Sequence, residues 1–221
     1  MQCVMISCEF RDEARSITIP QLEAAGLEPV VFLSPCTPPG PKHNALVSFR
    51  ALQHAQREDE HVLFVEDDVD VNAGALQDAL QMAVEANCIV YMYHHDKPKT
   101  MSEFYGSFVS GEVLAGEALS DIDLKPMLYQ IHNIEAANGS QCIFIPRDVL
   151  RCFELRSLHP EGQRWLGTAA FDVWLPRMID RMGLEARVAL PHPVQHRQDL
   201  TGRAGKFDKL KRSKSFQHAV H

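Results

Sequence analysis

The chain has 221 residues, of which 45% are hydrophobic and 23% charged, the balance of an ordinary soluble globular protein with one well-buried core. No apolar run approaches the roughly 18 residues that cross a bilayer, which excludes a helical membrane protein. The formal charge of −7 conceals an asymmetry: residues 197–221 hold seven Lys or Arg against two Asp, a net +5, so residues 1–196 carry −12.

The opening MQCVMISCEF lacks the basic start of a secretory signal and meets charges at Glu9, Arg11 and Asp12, so a cytoplasmic protein is expected. Six cysteines are scattered without a CxxC pair, which predicts buried free thiols rather than a disulfide framework or a zinc site. The apolar run Cys3 to Ser7 predicts a buried strand, followed by a charged loop with Arg11 and Arg15. A helix is expected next, with Thr18 as its N-cap, Pro20 in its first turn and Gly26 as its stop. Pro29 to Pro35 reads as a second strand. The prolines of TPPGPKHN predict a loop over 37–44, ending at a candidate cap, Asn44, before a helix carrying Ala45, Phe49 and Leu52 on one face.

The next strand is expected over His61 to Val65, and where it ends the chain turns acidic: Glu66, Asp67, Asp68 and Asp70 fall within five positions. Leu76, Ala79, Leu80, Ala83 and Val84 predict a helix over 73–86, and Cys88 to Tyr93 another buried strand. This alternation predicts an α/β domain with a largely parallel sheet, whose ligands collect at the carboxyl ends of the strands. Residues 94–138 show only mixed short strands and a helix. A strand over Gln141 to Ile145, a helix after Pro146, a helix striped by Leu175, Met178, Ile179 and Met182 and closed by Gly183, and a strand over Ala186 to Leu190 complete the pattern. PHPVQH reads as the polar exit of that last strand.

Four carboxylates so close repel one another and need a positive partner: a metal, a cluster of Arg and Lys, or water around a loop. An EF-hand reading of Asp68 to Ala79 fails because its sixth position is Ala73 and its twelfth Ala79, where Gly and Glu are needed. A divalent ion held by one or two carboxylates, with water and phosphate oxygens filling its shell, fits better and suits Mg²⁺ or Mn²⁺.

These segments together resemble a nucleotide-sugar-dependent glycosyltransferase of the GT-A fold. The resemblance rests on MISCEFRDEARSITIPQLEAAG, KHN, LFVEDDVDV, GSQCIFIPRDVL, GTAAFDVWLP and PHPVQH, which span most of the chain. It implies a single-domain α/β sandwich over 1–196 and a basic tail, 197–221, that closes over the donor or meets a nucleic acid. It implies that Asp68, with Asp70 and His196, holds Mn²⁺ or Mg²⁺, with His192 as the alternative imidazole. Arg11, Arg15, Lys42, Asn44, Glu66 and Asp67 would then meet the nucleotide-sugar, a UDP-sugar favoured. Asp172 would be the catalytic base if the reaction inverts the anomeric centre, or else a carboxylate complementing a helix dipole. Some phage enzymes with similar EDD-bearing domains glycosylate modified bases in DNA, so the resemblance also implies a DNA acceptor drawn by the basic tail. His94, His95 and Asp96 would line the donor pocket or form a polar turn. A sugar nucleotidyltransferase is disfavoured because SCEFRDEAR has no glycine to cradle a triphosphate, and a phosphoesterase needs more ligands than the chain presents. From another class, a non-catalytic binder of nucleotide-sugars or nucleic acid keeps the same residues.

Overall fold

The protein was described from a computed structural model, covering residues 1–34, 41–93, 126–131, 141–153, 155 and 171–197, with 41–45 and 173 described by their backbone alone. Nine strands and five helices are assigned among them: β1 Gln2–Cys8, α1 Asp12–Ala24, β2 Pro29–Ser34, α2 Pro41–Glu58, β3 Val62–Glu66, β4 Val69–Val71, α3 Ala73–Ala86, β5 Ile89–Tyr91, β6 Met127–Gln130, β7 Cys142–Ile145, α4 Arg147–Cys152, α5 Phe171–Arg181, β8 Ala186–Leu190 and β9 Val194–His196.

Seven strands form one sheet in the order β2-β1-β3-β7-β5-β8-β6. β1 is parallel to both β2 and β3, β5 is parallel to β8, and only β7 and β6 run against their neighbours. Five of the seven strands therefore point one way. This is the α/β sandwich with a largely parallel central sheet that the alternating pattern predicts.

Near-continuous apolar strands mean that both faces of the sheet are covered. Val4, Ile6, Val62, Phe64, Ile143 and Val188 pack on one face with Ala51, Leu52, Trp174 and Leu175 from α2 and α5. Cys3, Met5, Leu63, Val65, Cys142 and Phe144 pack on the other with Leu22 of α1 and Leu76, Leu80 and Ala83 of α3. Strand alternation thus assigns successive residues of β3 to opposite layers, and that alternation divides the acidic segment following it.

Two helix starts differ from expectation. α1 begins at Asp12 rather than after Thr18, and Pro20 lies inside it. Asp12 and Glu13 in its first turn complement the helix dipole, while the Thr18 hydroxyl is committed to a distant partner instead of a cap. α2 begins at Pro41, so the stretch read as loop is already helical there and Asn44 is no cap. Proline suits a first helical position, because its missing N–H is one that a helix start leaves unpaired. α3 matches its expected span, with Asn72 Oδ1 accepting from Ala75 N at 3.1 Å. Gly26 and Gly183 follow α1 and α5 with φ of 78° and 61°, the left-handed turns that end helices.

The sequence pattern also concealed a second, two-stranded sheet. β4 and β9 pair antiparallel, Val69 opposite His196, Asp70 opposite Gln195 and Val71 opposite Val194. Arg197 N bonds Asp68 O at 2.7 Å at one end and Asn72 N bonds Pro193 O at 2.9 Å at the other. The expected polar exit after β8 thus includes a strand, and it brings His196 to the acidic turn. His94, His95, Asp96 and the tail beyond Arg197 lie outside the described residues.

Candidate active site at the end of β3

From β1 the chain steps to β2 on one side and, through α2, to β3 on the other, so β1 and β3 flank the point where strand order reverses. In open α/β sheets, the crevice outside the carboxyl ends of such a strand pair is where ligands bind. Here it is bounded by the end of β1, the loop Glu9 to Arg11 and the first turn of α1, and by Glu66 at the end of β3 with the turn Asp67 to Asp68 that follows.

The Arg11 side chain spans that crevice. Its Nη1 lies 2.9 Å from Asp67 Oδ1 and its Nη2 lies 3.0 Å from Asp68 Oδ2. The second oxygen of Asp67 accepts from Ser7 Oγ at 2.5 Å. Arg15 donates to Ser7 Oγ, to the carbonyls of Cys8 and Glu9, and to the Asp12 carboxylate. On the far side His196 Nε2 stands 3.4 Å from Asp68 Oδ2. A continuous polar chain therefore runs Arg15, Ser7, Asp67, Arg11, Asp68, His196, joining three segments far apart in sequence.

The backbone of the turn is held as firmly. Thr18 Oγ1 lies 2.8 Å from Asp67 O and 2.9 Å from Val69 O, the carbonyls on either side of Asp68, and Val71 N donates to Gln21 Oε1 at 2.9 Å. With Arg197 N on Asp68 O, the main chain about Asp68 is tied to α1 and to β9.

The three successive carboxyls have different electrostatic environments. Burial works to raise the Asp68 pKa, but the hydrogen bond and charge of His196, with Arg11, outweigh it and hold the group below the ordinary aspartate value. Asp67 is pushed up to about 6: burial dominates, Arg11 and the Ser7 hydrogen bond oppose it, and Asp68 adds to it. Glu66 rises to about 8, through burial and then the charge of Asp68, with His196 opposing and Asp67 and Asp172 adding. At neutral pH this arrangement favours a protonated Glu66 beside an ionised Asp68.

Glu66 follows Phe64 on the sheet face that α5 covers. Phe64 packs against Phe171 with ring centroids 4.8 Å apart, and Asp172 is the next residue of α5, exposed in its first turn. Asp67 instead faces Ser7 and Arg11. The structure thus separates the two carboxyls expected to share a nucleoside, Glu66 toward Asp172 and Asp67 toward the β1 loop. Asp70, in β4, reaches Arg197 Nη1 at 3.4 Å. His192 is buried, with Nδ1 2.9 Å from Ala189 O, and the Tyr93 ring meets both imidazoles, its centroid 6.2 Å from that of His192 and 6.3 Å from that of His196. The Lys42 and Asn44 side chains lie outside the described residues.

Ser7, Gln21, Tyr93 and Arg197 were not singled out as site residues by the sequence, and Thr18 was read there only as a helix cap. Only Ser7 leaves a trace there, as the polar residue closing an apolar strand. Thr18 and Gln21 act on partners some 50 residues away, for which no local pattern exists.

Among the described residues no group of three or more His, Cys, Asp or Glu side chains is arranged to hold a metal. A smaller set does fit a hard divalent ion. Asp68 is 4% exposed, and its Oδ1 is buried without a hydrogen-bond partner, an acceptor of the kind that native interiors rarely leave unmet. His196 Nε2 lies close to the same carboxylate, near the ~3 Å that separates neighbouring ligands in an octahedral shell with bonds of about 2.1 Å. An ion with two protein ligands takes its remaining positions from water and phosphate.

No protein-family model matches the sequence, and no curated protein matches it either. Among solved structures, A197 from STIV resembles it over 90% of this chain and 87% of that one, at 13% identity and a TM-score of 0.45. A glycosyltransferase involved in the glycosylation of the major capsid of PBCV-1 resembles it over 75% of each chain, at 14% identity and a TM-score of 0.33. At TM-scores below 0.5 neither likeness bears on what the site does.

Proposed function

We propose that the protein transfers a glycosyl group from a nucleotide-sugar to a hydroxyl acceptor, with Mn²⁺ or Mg²⁺ at Asp68 and His196. The observation that carries this reading is the buried, unpartnered Oδ1 of Asp68, whose other oxygen lies 3.4 Å from His196 Nε2, at the carboxyl end of β3 in the sheet's switch-point crevice. The bound cation would neutralise charge developing on the diphosphate as the glycosyl bond breaks. Asp67, fixed by Arg11 and Ser7, borders the part of the crevice that takes the nucleotide, a UDP-sugar by preference, and Arg15 braces the loop that lines it. Asp172 is the acceptor base. It is exposed at the start of α5, and its charge is felt by Glu66. Asp70, engaged by Arg197, supports the ribbon that carries His196. A DNA acceptor rests on the basic residues of 197–221 alone, of which Arg197 is the one described.

A panel of nucleoside diphosphates, scanned by thermal shift with and without Mn²⁺, tests the reading. One diphosphate should stabilise the chain only with metal present, and Asp68→Asn should abolish that shift. Equal stabilisation without metal would refute the cation site. Hydrolysis of the matching nucleotide-sugar then separates an enzyme from a binding protein.

A further inference from the structure

We infer that Arg11 is the resident counter-cation of the acidic turn, holding it folded with Asp68 Oδ1 in place until a divalent ion adds to it. The inference rests on the cation site proposed above but not on the identity of any donor. Asp67 and Asp68 are 1% and 4% exposed, and two adjacent carboxylates cannot be withdrawn from water without a partner. Arg11 supplies that partner with one nitrogen to each, at 2.9 Å and 3.0 Å, from a side chain that is itself mostly buried.

One guanidinium faces two carboxylates, the His196 imidazole meets only Asp68 Oδ2, at 3.4 Å, and one oxygen, Asp68 Oδ1, has no donor. Arg15 adds positive charge near Asp67 but does not bridge the pair, since its nitrogens are engaged by Ser7, two carbonyls and Asp12. An added cation therefore finds a free acceptor while both Arg11 contacts stay in place. Without Arg11 the pair loses the one group that bridges both carboxylates, and a divalent ion would supply the positive charge removed. The turn should then depend on metal for its stability, whereas the native chain does not.

Thermal unfolding of the full chain in EDTA and in millimolar Mn²⁺, without nucleotide, tests this. Arg11→Met should melt roughly 10 °C below the native protein in EDTA, the scale for stranding a buried ion pair in a chain of this size. Mn²⁺ should recover at least half of that loss, while shifting the native protein by a few degrees at most. An Arg11→Met variant that melts with the native protein, or one whose loss Mn²⁺ leaves untouched, overturns the inference. If Arg11→Met does not fold, Arg11→Met/Asp67→Asn, which removes one carboxylate along with the guanidinium, decides: recovery of a folded, Mn²⁺-responsive chain supports the inference and continued unfolding refutes it. Because Mn²⁺ is the only probe, failure here is distinct from failure of the nucleoside diphosphates to bind the native protein.

Discussion

The hydroxyl of Thr18, in the second turn of α1, hydrogen-bonds the main-chain carbonyl of Asp67 at 2.8 Å, and through the same oxygen meets Val69 O at 2.9 Å. A residue that resembles a helix cap is instead the clasp between α1 and the acidic turn. Thr18→Val preserves the side chain's shape and leaves both buried carbonyls without that donor, at a cost of about 1–3 kcal/mol. Thr18→Ser keeps the hydroxyl and should retain most of the stability. Denaturant unfolding of the three proteins is the measurement, and equal midpoints for Val and Ser variants would show that the hydroxyl contributes nothing.

The cysteines allow a second test that requires no knowledge of ligand. Cys3, Cys8, Cys88 and Cys142 are buried and Cys152 is exposed, all as free thiols. Burial raises the first four, Cys3 to about 12, so they are hidden and hold their protons. Brief alkylation of the native protein, followed by peptide mass spectrometry, should therefore label Cys152 well ahead of those four. Comparable labelling of Cys142 would contradict the packing of β7 between β3 and β5.

The main elements were legible because burial leaves a period in the sequence. The span of α3 and the strand Ala186–Leu190 agree with expectation to the residue. Short and tertiary features were not. VDV and VQH are three residues each, too short for alternation to show, and they become strands only by pairing with each other. The same limit governs the site. EDD at a strand end announces charge but not its partner, and Arg11 became that partner through the fold of the β1 loop. Sequence proximity also misled, since Glu66 and Asp67 are neighbours in the chain while the pleat sends them to opposite layers.

Asp172 offers a separation of binding from turnover. It is exposed in the first turn of α5, so Asp172→Asn should cost at most about 1 kcal/mol, through the helix dipole. As the acceptor base, it should lower turnover of the nucleotide-sugar by roughly 10²- to 10⁴-fold while metal-dependent binding of the nucleoside diphosphate stays the same. Unchanged turnover would assign the carboxylate to the helix dipole alone.

The raised pKa of Glu66 makes stability fall with pH. Between the ordinary value of 4.5 and about 8, the folded chain keeps a proton on Glu66 that the unfolded chain has released. Since stability rises with pH only where the unfolded state binds more protons, the slope here is negative. Asp67 acts in the same sense between 3.8 and about 6. Asp68 acts oppositely: its depressed value contributes stability above 3.8 that disappears as the pH falls through its folded pKa. Glu66→Gln removes the first of these penalties. In EDTA-containing buffer the variant should exceed the native protein by at least ~1 kcal/mol at pH 8, the two converging near pH 4.5. Denaturant unfolding across that range measures the difference. Parallel curves would mean that Glu66 ionises in the fold as it does in water, and that its carboxyl is neither desolvated nor under the influence of Asp68.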